Sequence, residues 1–293
     1  MANTQDIRRR IKSIRNTAQI TKAMQMVAAS KMRKAQQHAL AGRPYSDLLN
    51  RVLVSLKSRT DPLLHPLLQV RPTKKELVLI ISTDKGLAGA LNTNLLREAA
   101  AFDAEKTIFV TAGRKARQFI GRSRRQLLAD FELKDSPTIL ETKPISKFCV
   151  EKFLSGEVDK VTVLYTHFVN TINQKPVAQT LLPISQFAFE SLRGKSSDGV
   201  GSSSDPMLAY IFEPSPEAVL DFMLPYYVQY QVFQMVLDAR ASEHSSRMVA
   251  MKNATDNANQ FIKDLTLEYN KMRQASITTE LLEIATAQMA VGG

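Results

Sequence analysis

The stretch Asp84-Lys85-Gly86-Leu87-Ala88-Gly89-Ala90-Leu91-Asn92 most invites a chemical reading. It sets an acid, a base and two glycines between an apolar run and a helical pattern, where backbone N–H groups can turn toward a phosphate. It matches neither the Walker loop nor the three-glycine dinucleotide fingerprint. The reading it favours is a strand-to-helix turn in which Gly86 and Gly89 allow close packing. His38, His65, His167 and His244 are scattered without metal-ligand spacing. No Gly-x-Ser-x-Gly elbow is present. Cys149 is the single cysteine, which excludes an internal disulfide and reads as a buried or incidental thiol. These residues propose no catalytic residue, no cofactor and no metal.

Charge is more informative. Residues 1–58 carry twelve Lys and Arg against Asp6 and Asp47, a net of +10, whereas residues 215–293 carry six bases and nine acids, a net of −3. A basic block at one end expects an acidic partner, whether nucleic acid, an anionic membrane surface or acidic protein loops. The runs Arg8-Arg9-Arg10 and Lys31-Met32-Arg33-Lys34 could bind nucleic acid. No aromatic residue occurs among the first forty-four and tryptophan is absent throughout, so nothing is there to stack on bases. The favoured reading is a basic collar facing acidic loops of protein partners. A basic coiled-coil nucleic-acid-binding or scaffold protein is the alternative.

Three segments must position these residues. Residues 1–41 lack Gly and Pro, with Ile7, Ile11, Ile14 and Ala18 at spacings of four and three, and a second stripe through Ile20, Met24, Val27 and Ala28. This predicts a long amphipathic helix, broken at Gly42 and Pro44 and resumed to about Arg59. The same forty residues are Arg-rich and acid-poor, as organelle leaders are, but their helical pattern runs on past Leu40. At the other end, Tyr226 to Val291 gives 66 residues without Gly or Pro, roughly 100 Å of helix. Along it Leu237, Ala241, His244, Met248, Met251, Thr255, Ala258, Ile262, Leu265, Tyr269, Met272 and Ser276 keep a 4-3 spacing, a heptad seam. Its Ala, Thr, Ser and Met make it a weak zipper, and its expected partner is the N-terminal helix, antiparallel. The last ten residues carry no charged side chain, which suits a tip inside an apolar sleeve. Between the helices, 76–82, 107–111 and 161–168 are apolar runs of the kind buried in a parallel sheet, separated by helical candidates at 87–102, 114–121 and 144–155. The expected fold is therefore α/β: an antiparallel coiled coil of long terminal helices plus a central open α/β (Rossmann-like) domain. The expected divisions are 1–59, 74–213 and 214–293. Residues 193–205 read as a mobile Gly/Ser loop.

Three motifs carry a resemblance to a known family. Ile11-Lys-Ser-Ile-Arg-Asn-Thr-Ala-Gln-Ile-Thr-Lys-Ala-Met-Gln-Met-Val-Ala-Ala-Ser-Lys-Met-Arg-Lys34 closely resembles the N-terminal signature of F-type ATP synthase γ subunits. Ser82-Thr-Asp-Lys-Gly-Leu-Ala-Gly-Ala-Leu-Asn-Thr-Asn94 is similar to the family's central motif. Ser246-Arg-Met-Val-Ala-Met-Lys-Asn-Ala-Thr-Asp-Asn257, followed by Tyr269-Asn-Lys-Met-Arg-Gln-Ala-Ser-Ile-Thr-Thr-Glu280, is similar to its C-terminal signature. The motifs span the chain in order.

The resemblance implies a non-catalytic rotor whose paired terminal helices turn inside a ring of α and β subunits. Its α/β domain would bind the ε subunit and dock on the membrane c-ring. Proton-driven rotation would then cycle the catalytic β subunits. It also implies an upper contact with β at Arg247, Gln274 and Thr278, and a lower contact with a basic collar at Met24 and Lys22. Ala88 and Ala90 depart from the usual Gly-Leu-Cys-Gly-Gly-Leu-Asn pattern, so those positions need neither a thiol nor a positive φ. The chloroplast regulatory cysteine insertion is missing. A family pattern that begins almost at Met1 leaves no room for a transit peptide and favours a bacterial protein, peripheral on the cytoplasmic face of the inner membrane, over a processed mitochondrial chain.

Overall fold

A computed structural model describes residues 4–57, 65–184 and 212–291. The sequence outside these ranges includes the predicted Gly/Ser loop at 193–205 and the last residues expected of the second helix, 58 and 59. The chain divides into two compact units, Met1–Ala29 with Arg247–Gly293, and Ser30–Ser246. Two long helices contribute to both, α1 (Thr4–Ala41) and α6 (Pro216–Val291).

The larger unit is built on a five-stranded sheet in the order β3-β2-β1-β4-β5. Its strands are β1 (Glu76–Ile81), β2 (Thr107–Ala112), β3 (Leu127–Phe131), β4 (Lys160–Phe168) and β5 (Gln174–Leu182). Pairs β1–β2, β1–β4 and β2–β3 are parallel, and β5 runs antiparallel to β4. The three strands predicted from apolar runs are the inner ones, buried on both faces. The two that sequence reading missed are the edges. Strand β5 is only partly covered, with Lys175, Ala178 and Thr180 exposed, so polar residues interrupt any apolar run. An edge strand also tolerates Pro176.

Side chains of β1 alternate between two cores. Val78 and Ile80 join Leu95 of α3 (Leu91–Ala100) and Ala116 and Ile120 of α4 (Arg114–Arg122). Leu77, Leu79 and Ile81 face the opposite core. There Ile145, Cys149 and Phe153 of α5 (Ile139–Leu154) meet Leu49, Leu53 and Leu56 of α2 (Arg43–Lys57) and the α6 residues Leu220 to Val236. The break after α1 falls at Gly42 as predicted, and Tyr230 donates its hydroxyl to the Gly42 carbonyl at 2.6 Å. Helix α5 begins at Ile139, five residues before its expected start at Pro144. The Glu141 carboxylate accepts from the Thr138 N–H at 3.3 Å, a capping signal that outweighs the proline as a start marker.

In the smaller unit the two chain ends meet at a polar contact from Thr21 Oγ1 to Thr255 Oγ1 at 2.7 Å, both residues buried. Counting outward from it in opposite directions brings Ala18 into register with Ala258, Ile14 with Ile262, Ile11 with Leu265, Ile7 with Tyr269 and Thr4 with Met272. On the other side Gln25 meets Met251 and Ala28 meets Met248. Every one of these sixteen positions, the threonines included, is buried or half-buried. Parallel pairing from the same contact would set Ala18 against Lys252 and Gln25 against Asn259, both exposed. The pairing is antiparallel.

Two details depart from expectation. Ile20 and Val27 of the second predicted stripe are exposed by 61% and 56%, because the 4-3 count that starts at Ile7 continues through Thr21 and Gln25. The seam also ends at Met272: Ser276 is exposed, as is every residue from Arg273 to Gln288.

Candidate functional site

The loop after β1 was the first chemical candidate, and its surroundings decide what it can do. In an open α/β sheet a ligand enters beyond the carboxyl ends of the strands, where strand order reverses; here that point lies between β1 and β4. Side chains of α6 fill it. The buried Arg240 guanidinium donates to Glu243 at 2.8 Å, to the Leu133 carbonyl at 2.8 Å and to Asp84 at 3.2 Å. The space left beside Ser82, Thr83, Thr166 and Glu243 is about 10 Å³, about enough for one water.

At the helix start that could cradle a phosphate a cavity of about 240 Å³ lined by Asp84, Lys85, Arg114 and Arg117 stays open, but the N–H groups that would face an anion are already engaged. At the head of α4 the Arg114 N–H donates to Asp84 at 3.0 Å, Lys115 N–H to the Thr83 carbonyl at 3.1 Å and Ala116 N–H to Ser82 Oγ at 2.9 Å. The loop is therefore a brace between β1, α4 and α6. Its glycines need correction. A Cβ added at Gly86 would meet nothing within 4 Å, so close packing does not explain that residue, whereas Gly89 holds φ +56°. Ala88 and Ala90 stay out of the positive-φ region, which falls on Leu87 and Gly89. The glycine that the fold requires is one that sequence reading passed over. Gly113 has φ +116°, and a Cβ there would lie 2.3 Å from the Ser82 carbonyl oxygen. Its position at a strand-to-helix junction was the available signal.

The five family-implied contact residues do not form one site. On α1, Lys22 is exposed with Nζ donating to Gln25 at 3.3 Å, and Met24 is half-buried. On α6, Arg247 is half-buried, and by the same count its register partner is Ala29, five residues beyond Met24. Gln274 and Thr278 lie one turn apart beyond Met272, both exposed, with the Thr278 hydroxyl donating to the Gln274 carbonyl at 2.9 Å. The distance along α6 from Arg247 to Gln274 is about 40 Å.

Of the basic run, Lys31 is engaged within the chain. Its ammonium lies 2.6 Å from Asp135, and that hydrogen bond holds the Asp135 carboxyl below its ordinary pKa. Arg8, Arg9, Arg10, Lys12, Arg15, Arg33 and Lys34 are exposed. Cys149 is fully buried, and burial pushes its thiol up to about 12, which makes it a poor nucleophile. His65 and His167 pair with Asp221 and Asp238 respectively. Among the described residues no cluster of His, Cys, Asp and Glu could hold a metal ion, and no helix is long and apolar enough to cross a membrane.

The geometry is that of a long-helix pair joined to a braced α/β unit, and comparison with known proteins finds the same combination. The family model described as ATP synthase matches residues 3–291. The ATP synthase gamma chain of Methylacidiphilum infernorum (isolate V4) is 50% identical, with 100% of each chain covered. That of Opitutus terrae is 49% identical, with 99% of each covered. Among solved structures, a central stalk/c-ring chain of the Tetrahymena thermophila mitochondrial ATP synthase is 25% identical with a TM-score of 0.60, covering 80% of this chain and 99% of its own. A chain of the Euglena gracilis mitochondrial ATP synthase, at 22% identity, has the same fold with a TM-score of 0.67 over 98% of this chain and 94% of its own. The chain belongs to the ATP synthase gamma chain family.

Proposed function

We propose that this chain is the central-stalk rotor of a proton-translocating F-type ATP synthase. It couples turning of a membrane c-ring to conformational cycling of catalytic β subunits, for ATP synthesis or, in reverse, hydrolysis. The observation that carries this reading is the antiparallel pairing of the two chain ends, residues 4–28 against 248–272. A scaffold that oligomerises through the seam would need it vacant, and α1 already occupies it. The paired ends act on their neighbours by contacting each of them differently, since only differential contact can shift their equilibria.

The chain itself does no chemistry in this account. The partners are the α, β and ε subunits and the c-ring, and nucleic acid is not among them. Association with the cytoplasmic face of a bacterial inner membrane is indirect, through the c-ring. The working divisions are a shaft formed by 1–59 with 214–293, and a foot formed by 74–213. The exposed arginines and lysines of α1 suit acidic loops of β. Lys22 and Met24 serve the lower contact, and Arg247, Gln274 and Thr278 the upper contact with β.

Co-purification with α and β subunits tests membership of the complex, and recovery of the chain alone would count against it. Arg247→Ala and Gln274→Ala should each lower ATP turnover of the assembled complex several-fold, although neither side chain is assigned to nucleotide; wild-type rates in both variants remove the site assignment. Ile277, Leu281, Leu282 and Ile284 are exposed apolar residues at the end of α6. Deleting residues 284–293 should therefore be tolerated better than Ile284→Lys, which would bring a charge into an apolar sleeve. Equal loss in the two variants would mean that nothing encloses the tip.

A further inference from the structure

A rotor needs a place where torque passes between its foot and its shaft, and one segment of α6 has the construction for it. From Met235 to Ser245 every residue is buried except the half-buried Asp238, although the segment is rich in polar side chains. These are tied to the backbone of the α/β unit. Asp238 accepts from the Phe168 N–H at 3.0 Å, and Arg240 donates to the Leu133 carbonyl at 2.8 Å. Ser242 donates to the Thr166 carbonyl at 2.9 Å, Ser245 to Thr171 at 2.8 Å and Ser246 to Ala88 at 2.7 Å. The partners belong to β4 or to loops that follow β1, β3 and β4.

Successive helical residues step about 100° around the axis, so these five donors and acceptors spread over more than half the circumference. A helix held by apolar faces alone resists twisting about its own axis weakly, because dispersion contacts are non-directional. Hydrogen bonds weaken steeply when misaligned, and backbone partners cannot follow by changing rotamer. The Arg240–Asp84 pair extends the attachment, since Asp84 also holds the head of α4.

We propose that Asp238 to Ser246 is a torque-bearing grip, a ring of directional hydrogen bonds that stops α6 from slipping in the α/β unit under load. The proposal rests on the rotor reading. The test uses the assembled complex in inverted membrane vesicles, with this chain carrying Ser242→Ala, Ser245→Ala and Ser246→Ala together. These substitutions remove three donors while barely changing volume and retain a good helix former. ATP hydrolysis and ATP-driven proton pumping are measured on the same vesicles, with and without an opposing proton gradient.

The grip predicts that protons pumped per ATP fall several-fold, and fall further against the gradient, while hydrolysis per assembled complex stays near wild type. A merely structural role predicts that both activities fall in proportion to the complex recovered, with an unchanged ratio, and that result overturns the proposal. If the triple variant does not assemble, each single serine variant and Arg240→Lys are read by the same ratio. A ratio equal to wild type in all of them is equally fatal. A wild-type complex whose pumping does not depend on this chain would instead remove the rotor reading, and the grip with it.

Discussion

Gly113→Ala is expected to destabilise the α/β unit by about 2–6 kcal/mol, the sum of a strained backbone at about 1–3 kcal/mol and an overpacked contact of similar size. Position 113 combines φ +116° with a Ser82 carbonyl oxygen 2.3 Å from the new Cβ. Relief requires moving β1 away from the head of α4, which breaks the bond from the Ser82 hydroxyl to the Gly113 carbonyl and the bond from the Ala116 N–H to Ser82 Oγ. Against a total of roughly 5–15 kcal/mol for a typical domain, this is a large share and should lower the melting temperature markedly. Gly86→Ala is the matched control. It lies in the loop after β1, a few residues from the Ser82 that Gly113 faces, yet its Cβ would meet nothing within 4 Å and its φ lies outside the positive region, so its effect should lie within about 0.5 kcal/mol of zero or be slightly stabilising. Thermal unfolding of the full chain followed by circular dichroism separates the two. A similar melting temperature for both variants would refute this account of the loop.

Ala258→Glu should abolish pairing of the chain ends over the middle of the seam. Ala258 is 6% exposed and its antiparallel register partner Ala18 is 7% exposed. Two alanines in register let the helices approach closely, which leaves no volume for a longer side chain and no partner for a buried carboxylate. Asn259→Glu adds the same charge one residue on, at an exposed position, and should leave pairing intact. Cysteines introduced at Ile14 and Ile262 in the full chain report the result. Oxidation should cross-link them efficiently in the parent and in the Asn259→Glu chain, and several-fold less in Ala258→Glu. Equal cross-linking in all three would mean that the register counted from Thr21 and Thr255 is wrong.

The sequence was most legible where a segment is uniform in its surroundings. Inner strands buried on both faces appear as apolar runs, and the α6 seam from Met248 to Met272 appears as its 4-3 spacing because one face there meets one neighbour. Reading failed where two demands meet in one segment. Strands β3 and β5 lie at the sheet edges, so Asp130 and Pro176 interrupt what would otherwise read as runs. Thr21 sits on the seam of α1 but is polar, and its bond to Thr255 lies 234 residues away, beyond the reach of a pattern within one helix. The candidate loop showed its chemistry but not its occupancy. Nothing local to residues 82–92 announces that Arg240 closes the crevice and engages Asp84.

Tracking rotation of this chain in single immobilised complexes tests the central claim most directly. With a probe on the α/β unit and ATP supplied, the account predicts sustained turning in one direction. A reversible disulfide from Gln274→Cys to the surrounding ring should stop both rotation and ATP turnover, and reduction should restore both. Full-rate, fully coupled ATP turnover while the chain is held still would contradict it.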